Sequence, residues 1–311
     1  MDHGLFARGG RGISRALVSV MISVSNATPE VFDQVYPLLE HFNQGNDRLS
    51  KDHWRNLFHY PWQFRGNTRG FLLLDGDKAV GIELLIQCDR VIDGQIHRVA
   101  NSSSWHVMPE YRSSSLRLKT PVFDSLEDGL CVTAFTPMPS LESYHKLTGA
   151  SILETHQVIL LPIPDPTLMI GLWKWSASTS PQKFLPLLNP NDRQIYEDHK
   201  TLPCKHLVVW SGDKYCYVVH SRTEGPRGFS TSFVHYISDL SVFMQAIEKI
   251  KFGLLFSNRA PFVTIERRML RGHTFRFSRE VPLKNPRLFW SKTLKAEQID
   301  SLYSEMILLE L

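Results

Sequence analysis

The chain has 311 residues, of which 42% are hydrophobic and 21% charged. This composition is typical of a globular protein with room for two domains and excludes an intrinsically disordered chain. The sequence has no uncharged apolar run of about 18 residues, so we expect no membrane-spanning helix. The 35 Lys and Arg outnumber the 31 Asp and Glu by only four and are spread along the sequence, which argues against a nucleic-acid or membrane-surface binder.

Cysteine spacing gives a weak indication of compartment. The four cysteines are far apart and form no CxxC pair, so we expect neither a disulfide scaffold nor a zinc ribbon and favour the reducing cytoplasm. Residues 1–20 are rich in arginine and glycine and are interpreted as a disordered or misassigned leader, although they also loosely resemble a secretory signal. The cysteines are Cys88, Cys131, Cys204 and Cys216.

The first half of the chain predicts strands and helices in the order β-α-α-β-β-β-α-β-α-β. A short strand at Ile22–Val24 precedes a helix that begins after Thr28, and a second helix covers about Lys51–His59. Two Asp-Gly turns then join three strands into an antiparallel meander. The remaining predicted elements are the three strands Gly70–Leu74, Lys78–Cys88 and Ile96–Val107, the helix Leu116–Glu127, the strand Leu130–Phe135, the helix Pro139–Leu147 and the strand Ile152–Leu161.

The second half partly repeats this order after the proline-rich stretch Leu161–Pro166. The strand-turn pattern of Leu72–Lys78 recurs at Val208–Lys214, and a helix–β–β–β–helix–β order follows in both halves. We therefore predict an α/β protein of two similar units, 21–165 and 166–311, each a mixed, mostly antiparallel sheet flanked by helices. The apolar spacing of Leu294–Leu309 predicts a terminal helix docked on the body.

The segment Val107–Arg112, at a strand end followed by a helix, resembles the GNAT superfamily of acyl-CoA N-acyltransferases. There a "V-x-P-x-x-R" strand end leads into a glycine-containing loop that holds the pyrophosphate of acyl-CoA. The hairpin Phe71–Cys88 and the segment Tyr144–Gly149 are also similar to that family. The resemblance covers about Ile22–Pro162, is fainter in the second half, and implies two GNAT-like units, the second without a phosphate loop.

The resemblance implies an acyl-CoA site at the end of the third meander strand, with no metal. The family loop reads (Q/R)-x-x-G-x-(G/A), whereas this chain places Ser115 and Arg117 where small residues are usual. Three interpretations stay open. Serine hydroxyls and arginines supply the hydrogen-bond donors for the phosphates, or the loop no longer binds CoA, or the acyl donor is an acyl carrier protein. The implied donor-binding residues are Val107, Met108, Arg112, Ser113, Ser114, Ser115 and Arg117.

Catalysis in this family needs a base for the incoming amine and an acid for the leaving thiolate. Tyr144 matches the family's acid, although it stands five residues before Gly149 instead of four. His106 and Glu83 are candidates for the base, because a histidine titrates near neutrality and a carboxylate beside a cleft can be tuned. Each of the three also has a purely structural interpretation in core or surface packing.

Other sequence signals concern the acceptor. Ser102–Ser104 and Thr136 are candidates for an acceptor cleft, and the aromatic patch His53–Trp62 is either core or a wall for a sugar or acyl group. The sequence contains no GxSxG elbow, P-loop, HExxH or GxGxxG motif, and no histidine pair has metal-ligand spacing.

The resemblance therefore implies transfer of an acyl group from acyl-CoA, for example acetyl-CoA, or from an acyl carrier protein, to a primary amine of a small molecule. An amino sugar or amino acid derivative is the suggested acceptor. The alternative is a non-catalytic binding or scaffold protein on the same fold, which the altered loop at Ser115 and Arg117 favours.

Overall fold

The described part of the chain forms one twelve-stranded sheet. The computed structural model describes residues 22–43, 49–138, 148–169, 171–224 and 228–311. Across the sheet the strand order is β1-β2-β3-β4-β5-β12-β6-β11-β10-β9-β8-β7. The strands are β1 Ile22–Asn26, β2 Gly70–Asp75, β3 Lys78–Ile92, β4 Gln95–Val107, β5 Cys131–Ala134, β6 Ser151–Leu160, β7 Ser176–Ser178, β8 Lys205–Ser211, β9 Lys214–Glu224, β10 Ser230–Ile237, β11 Phe262–Glu266 and β12 Ser278–Trp290.

The described helices are short, from four to twelve residues, and all but one of them bury apolar side chains. The described α-helices are α1 Phe32–Leu39, α2 Lys51–Asn56, α3 Thr120–Glu127, α4 Pro166–Met169, α5 Pro181–Phe184, α6 Pro190–His199, α7 Leu240–Gln245, α8 Ile247–Asn258 and α9 Glu305–Leu308. Segments of 3-10 helix lie at Pro29–Val31, Glu40–Asn43, Pro109–Leu118, Leu172–Lys174, Leu185–Leu187, Arg267–Leu270 and Ala296–Gln298.

The sheet is built from two similar halves, so the predicted mixed α/β fold is confirmed. In the first half, β1 to β4 are antiparallel neighbours and β5 pairs parallel with β4. In the second half, β7 to β10 are antiparallel neighbours and β11 pairs parallel with β10. The predicted repeat therefore corresponds to a repeated strand order.

The two halves exchange their final strands, so that the last strand of each half lies beside the other half. β6 follows the first five strands in sequence but lies beside β11, whereas β12 follows the second half but lies beside β5. The two strands also pair with each other, from Ser278 opposite Leu160 to Phe289 opposite Ser151. The proposed boundary at residue 165 stays a prediction, because the sheet is continuous across it.

Strand β12 is absent from the sequence-based prediction. It contains Pro282 and Pro286, and proline cannot donate to a strand ladder, so such a segment does not have a strand-like sequence. The pairing of β12 with β6 breaks between Pro282 and Arg287. The two prolines therefore lie at a break in the register between β12 and β6.

The predicted terminal helix Leu294–Leu309 is wrong as one continuous element. The chain instead forms a 3-10 turn at Ala296–Gln298 and only one α-helical turn, α9. Between them the backbone makes tertiary hydrogen bonds: the Ser301 N–H donates to the His235 carbonyl at 3.3 Å. The tail is docked on the body as expected, with Leu302, Met306 and Leu309 buried. Tertiary pairing has replaced the helical hydrogen bonds.

Candidate active site

A gap opens between β4 and β5 in the first half of the sheet. The two strands pair only from Val99 to Asn101, opposite Cys131 to Thr133. Strand β4 continues to Val107, whereas β5 ends at Ala134. The strands therefore diverge beyond Asn101, and a cavity of about 260 Å3 lies there.

A β-bulge in β4 lies beside this gap. Ile82 is opposite His106, but Leu84 is opposite Ser103, so β4 contains one extra residue. Ser104 takes up the excess in the left-handed conformation, with φ of 55°. Such a bulge bends a strand and re-aims its side chains. It places Ser102, Ser103, Ser104 and Trp105 on the cavity wall, and Thr136 lines the opposite side.

The end of β4 directs a backbone N–H towards the gap. The Met108 N–H donates to the Val80 carbonyl of β3 at 2.9 Å. Because N–H groups alternate between the two edges of a strand, the Val107 N–H points to the edge that β5 has left. The strands approach closely here because residue 81 is glycine: a Cβ on Gly81 would lie 2.9 Å from Val107 Cγ2.

Glu83 is fully buried behind the cavity wall and is already paired. Its Oε1 accepts hydrogen bonds from Lys119 Nζ and from Ser102 Oγ, the latter at 3.0 Å. Lys119 and Ser102 line the cavity, and the Lys119 ammonium lies 4.3 Å from the centre of the Trp105 ring. This pair neutralises the charge of Glu83. Its role as the base stays a prediction.

His106 lies one residue beyond the lining segment of β4. Its ring stacks on His41 at 4.1 Å. Burial lowers the pKa of His106, and the nearby His41 and Arg112 lower it further. The histidine is therefore mainly neutral at pH 7, which a base requires, but it also has a packing role in the stacked pair. Tyr144, the third catalytic candidate, lies outside the described residues.

The segment predicted to hold pyrophosphate is coiled into the 3-10 helix Pro109–Leu118. Its interior N–H groups donate to carbonyls three residues earlier, so the loop offers side chains more than free amides. Without glycine, the backbone has adopted this regular coil. Arg112 and Ser113 are exposed, and Ser114 and Ser115 are half-buried. Arg117 is held at the β1 edge, where its Nη1 donates to the Ile22 carbonyl at 2.9 Å.

The two remaining predicted donor-binding residues, Val107 and Met108, are at the end of β4 and immediately after it. The aromatic patch is divided. Trp54 lines the cavity together with Phe42, whereas Trp62 is buried, stacks on Tyr60 and donates to the Gln87 carbonyl at 2.7 Å.

Glu305 is a cavity residue that the sequence did not indicate. Its side chain is buried, and its Oε1 accepts from Thr136 Oγ1 at 2.9 Å. Its backbone N–H donates to Oδ1 of Asn101, the last β4 residue paired with β5, at 3.0 Å. Burial raises the pKa of Glu305 to about 7, although Thr136 and Arg287 partly offset this rise. A carboxyl group with this pKa exchanges a proton near neutral pH.

In the second half of the sheet, the corresponding gap is filled. β10 pairs with β11 only from Thr231 to Phe233 and then continues to Ile237. Beyond that point Ser301 hydrogen-bonds His235, through the backbone at 3.3 Å and through Ser301 Oγ to His235 Nδ1 at 3.1 Å. The tail thus occupies the place that is a cavity in the first half.

The described residues offer neither a metal site nor a membrane-spanning helix. No group of three or more His, Cys, Asp or Glu side chains in the described ranges is arranged to hold a metal ion. Among the helices of those same ranges, none has the length and apolar character needed to cross a membrane.

Comparisons with known proteins give a consistent answer for the fold. No protein-family model matches the sequence, and no curated protein matches it. Among solved structures, the chain is similar to a GCN5-related N-acetyltransferase from Anabaena variabilis ATCC 29413, with a TM-score of 0.55 and 12% identity, over 86% of this chain and 72% of that one. A GCN5-related N-acetyltransferase from Kribbella flavida matches with a TM-score of 0.53 and 14% identity, over 87% and 72% of the two chains.

A conserved protein of unknown function from Enterococcus faecalis V583 also matches, with a TM-score of 0.55 and 12% identity over 88% of this chain and 74% of that one. At these identities the likeness concerns the fold. The resemblance noted at Val107–Arg112 and in the hairpin is confirmed at that level: the protein has the fold of the GCN5-related N-acetyltransferase superfamily.

Proposed function

We propose that this protein transfers an acyl group from a thioester to a primary amine in the cavity between β4 and β5. The observation that carries the proposal is the position of Glu305, a buried carboxyl group with a pKa of about 7 that lines the gap beside β4. The same gap receives the Val107 N–H. A proton acceptor and an oxyanion donor beside one cavity are what aminolysis of a thioester requires.

The reaction proceeds by direct attack. Glu305 takes a proton from the bound ammonium, and the freed nitrogen forms a bond with the thioester carbonyl carbon. The Val107 N–H stabilises the oxyanion that develops. When the carbonyl re-forms, the C–S bond breaks and the nitrogen loses its second proton. The leaving thiolate takes up a proton, which Tyr144 supplies and regains from the nitrogen if it has the role that the family resemblance implies, and Glu305 then releases its own proton to solvent. The products are an amide and a free thiol.

Acyl-CoA, for example acetyl-CoA, is the proposed donor. Arg112 and Ser113 support this proposal because both are exposed near the end of β4 and offer phosphate donors. A carrier-protein thioester is the alternative donor, since its phosphopantetheine arm needs the gap between the strands without an adenosine pocket. The acceptor is a small-molecule amine, with an amino sugar or amino acid derivative as the first class to test, and the rings of Phe42 and Trp54 form part of its wall.

The first experiment is calorimetric titration with acetyl-CoA, longer acyl-CoAs and free CoA, followed by a thiol-release assay with a panel of amines. We expect saturable binding, and Arg112→Ala should weaken it about tenfold or more because a charged hydrogen bond is lost. Arg279→Ala is the control, since Arg279 is exposed on β12. Thiol release without any amine dependence would contradict the proposed reaction.

The second candidate function is a non-catalytic binding protein on the same fold. The observation that favours it is the 3-10 helix Pro109–Leu118, whose interior amides are already hydrogen-bonded. A protein of this kind would bind a ligand in the cavity and release no thiol from either CoA or carrier-protein thioesters.

A further inference from the structure

Four large apolar side chains are exposed on two segments, 171–174 and 252–256, that border one groove at the far edge of the second half. Trp173 is 89% exposed and Phe256 is 80% exposed, and Phe252 and Leu255 are each 37% exposed. Phe252, Leu255 and Phe256 share one side of α8, because positions i, i+3 and i+4 are neighbours on a helix. Leu172, next to Trp173, lines a groove of about 700 Å3 with Phe252 and Phe256. We call these four side chains the α8 face.

The surroundings of the α8 face are strongly basic. Residues 171–184 contain two lysines and no acid, and residues 247–259 contain two lysines and one arginine against a single glutamate. Their combined formal charge of +4 equals that of the whole chain. The glutamate, Glu248, is buried and ion-paired with Lys251 at 3.0 Å. Among the described residues, the charged side chains that line the groove are those of Lys183 and Lys249, and none is acidic.

The α8 face is remote from the candidate active site. It lies beside β7, the last strand of the sheet, whereas the cavity lies between β4 and β5. Seven strand spacings separate β5 from β7 in the sheet order, which is roughly 34 Å at about 4.8 Å per spacing. The face therefore has no part in the chemistry proposed above and stands independently of it.

We propose that the α8 face binds the surface of an anionic lipid bilayer. Trp173 and Phe256 enter the headgroup region, where aromatic side chains are favoured. Lys174, Lys183 and Lys249 remain at the level of the lipid phosphates and contribute electrostatic attraction. Protruding aromatic side chains surrounded by lysines fit a lipid surface better than a protein, because the cores of protein interfaces are depleted of lysine. The bilayer contact is peripheral and reversible.

The test is co-sedimentation of the full chain with vesicles of phosphatidylcholine alone and of phosphatidylcholine with 30% phosphatidylglycerol. We expect binding to the anionic vesicles only, weakening at least fivefold between 50 and 300 mM salt as charges are screened. The double variants W173A/F256A and K183E/K249E should each reduce the partition constant at least tenfold, or about 1.4 kcal/mol. All four changed side chains lie at the surface or beside the groove, so we expect the fold to be retained.

Matched control variants distinguish binding by the α8 face from nonspecific adsorption through other exposed apolar or basic side chains. Ile96 and Ile152 are 61% and 62% exposed elsewhere on the sheet, and Lys78 and Lys214 are exposed at two hairpin tips. I96A/I152A and K78E/K214E should bind vesicles like the wild type. Sedimentation velocity of wild type and W173A/F256A shows whether a second copy covers the face instead.

Four results would overturn the proposal: no binding to anionic vesicles, equal binding to neutral ones, full binding by W173A/F256A, or a wild-type dimer that this variant dissociates. A salt-sensitive complex with an acidic carrier protein, in the absence of vesicle binding, would assign the face to a protein partner. Thiol release measured without vesicles should be the same for all variants. Failure of the membrane proposal is thereby distinguishable from failure of the acyl-transfer proposal.

Discussion

Replacing Glu305 with glutamine should lower activity and raise stability at the same time. Burial raises the pKa of this carboxyl group from its ordinary value of 4.5 to about 7. Between these values the folded protein holds a proton that the unfolded chain has released, so stability falls as the pH rises from 4.5 to 7. The difference corresponds to about 3 kcal/mol of unfolding free energy. Glutamine mimics the protonated carboxyl and removes this penalty above pH 7.

The same change removes the proposed proton acceptor. General-base catalysis contributes about 10²- to 10⁴-fold to a rate, so kcat for thiol release should fall by that factor in Glu305→Gln while donor binding stays unchanged. The wild type should lose activity as the pH falls below 7 and Glu305 becomes protonated, and the variant should not show that acid limb. Stability is measured by urea unfolding at pH 5 and pH 8.

Glu297→Gln is the control, since Glu297 is exposed in the same tail and should alter neither property. A Glu305→Gln variant that keeps both kcat and the acid limb would show that Glu305 is not the base. If Glu305→Gln were less stable than the wild type at pH 8, the ionised Glu305 carboxylate would not be destabilising the folded protein.

Three further substitutions test the frame of the cavity. Lys119→Met should lower the unfolding free energy by about 3–5 kcal/mol because it leaves Glu83 buried and unpaired. Adding Glu83→Gln to the same chain should restore most of this loss. If Lys119→Met alone left the unfolding free energy unchanged, the ion pair would not be needed for stability. Gly81→Ala should cost about 1–3 kcal/mol, since its Cβ would lie 2.9 Å from Val107 Cγ2, whereas Gly171→Ala, with only ordinary contact at 3.5 Å, should cost less. Ser104→Val should lower the unfolding free energy by about 1 kcal/mol or more because a β-branched residue is strained at a φ of 55°. Ser104→Asn should be close to neutral because asparagine tolerates that conformation. Equal denaturation midpoints for the two variants would argue against strain at the bulge.

Local sequence signals predicted the elements that depend on neighbouring residues. The Asp-Gly pairs at Gly76 and Gly94 form the two hairpin turns, and both glycines have positive φ. The strand end at Val107 was also predicted, just before Pro109, which cannot donate a hydrogen bond to a strand ladder. The bulge at Ser104 was not predicted, since one extra residue changes the register without changing the composition of the strand.

Features that depend on distant pairing could not be read from local patterns. Glu305 reaches the cavity through a hydrogen bond to Asn101, 204 positions earlier in the chain, and its own neighbours indicate only an amphipathic tail. The exchange of β6 and β12 is equally invisible, because a strand buries the same alternate residues whichever strand lies beside it. The apolar period of Leu294–Leu309 was present, but the hydrogen bond from Ser301 to His235 replaced the helix there.

The C-terminal tail gives the two halves of the sheet different roles. Asp300 pairs with the buried Arg90 of β3, and the next residue, Ser301, hydrogen-bonds His235 in the gap of the second half. Four positions later, Glu305 is anchored to Asn101 beside the gap of the first half. The tail segment that fills the second gap therefore also holds the Glu305 carboxyl group beside the first gap. Because only four peptide bonds separate the two anchors, the second half acts as the template on which the proposed base is held, and the proposed catalytic role of the first half requires the second half to be folded beside it.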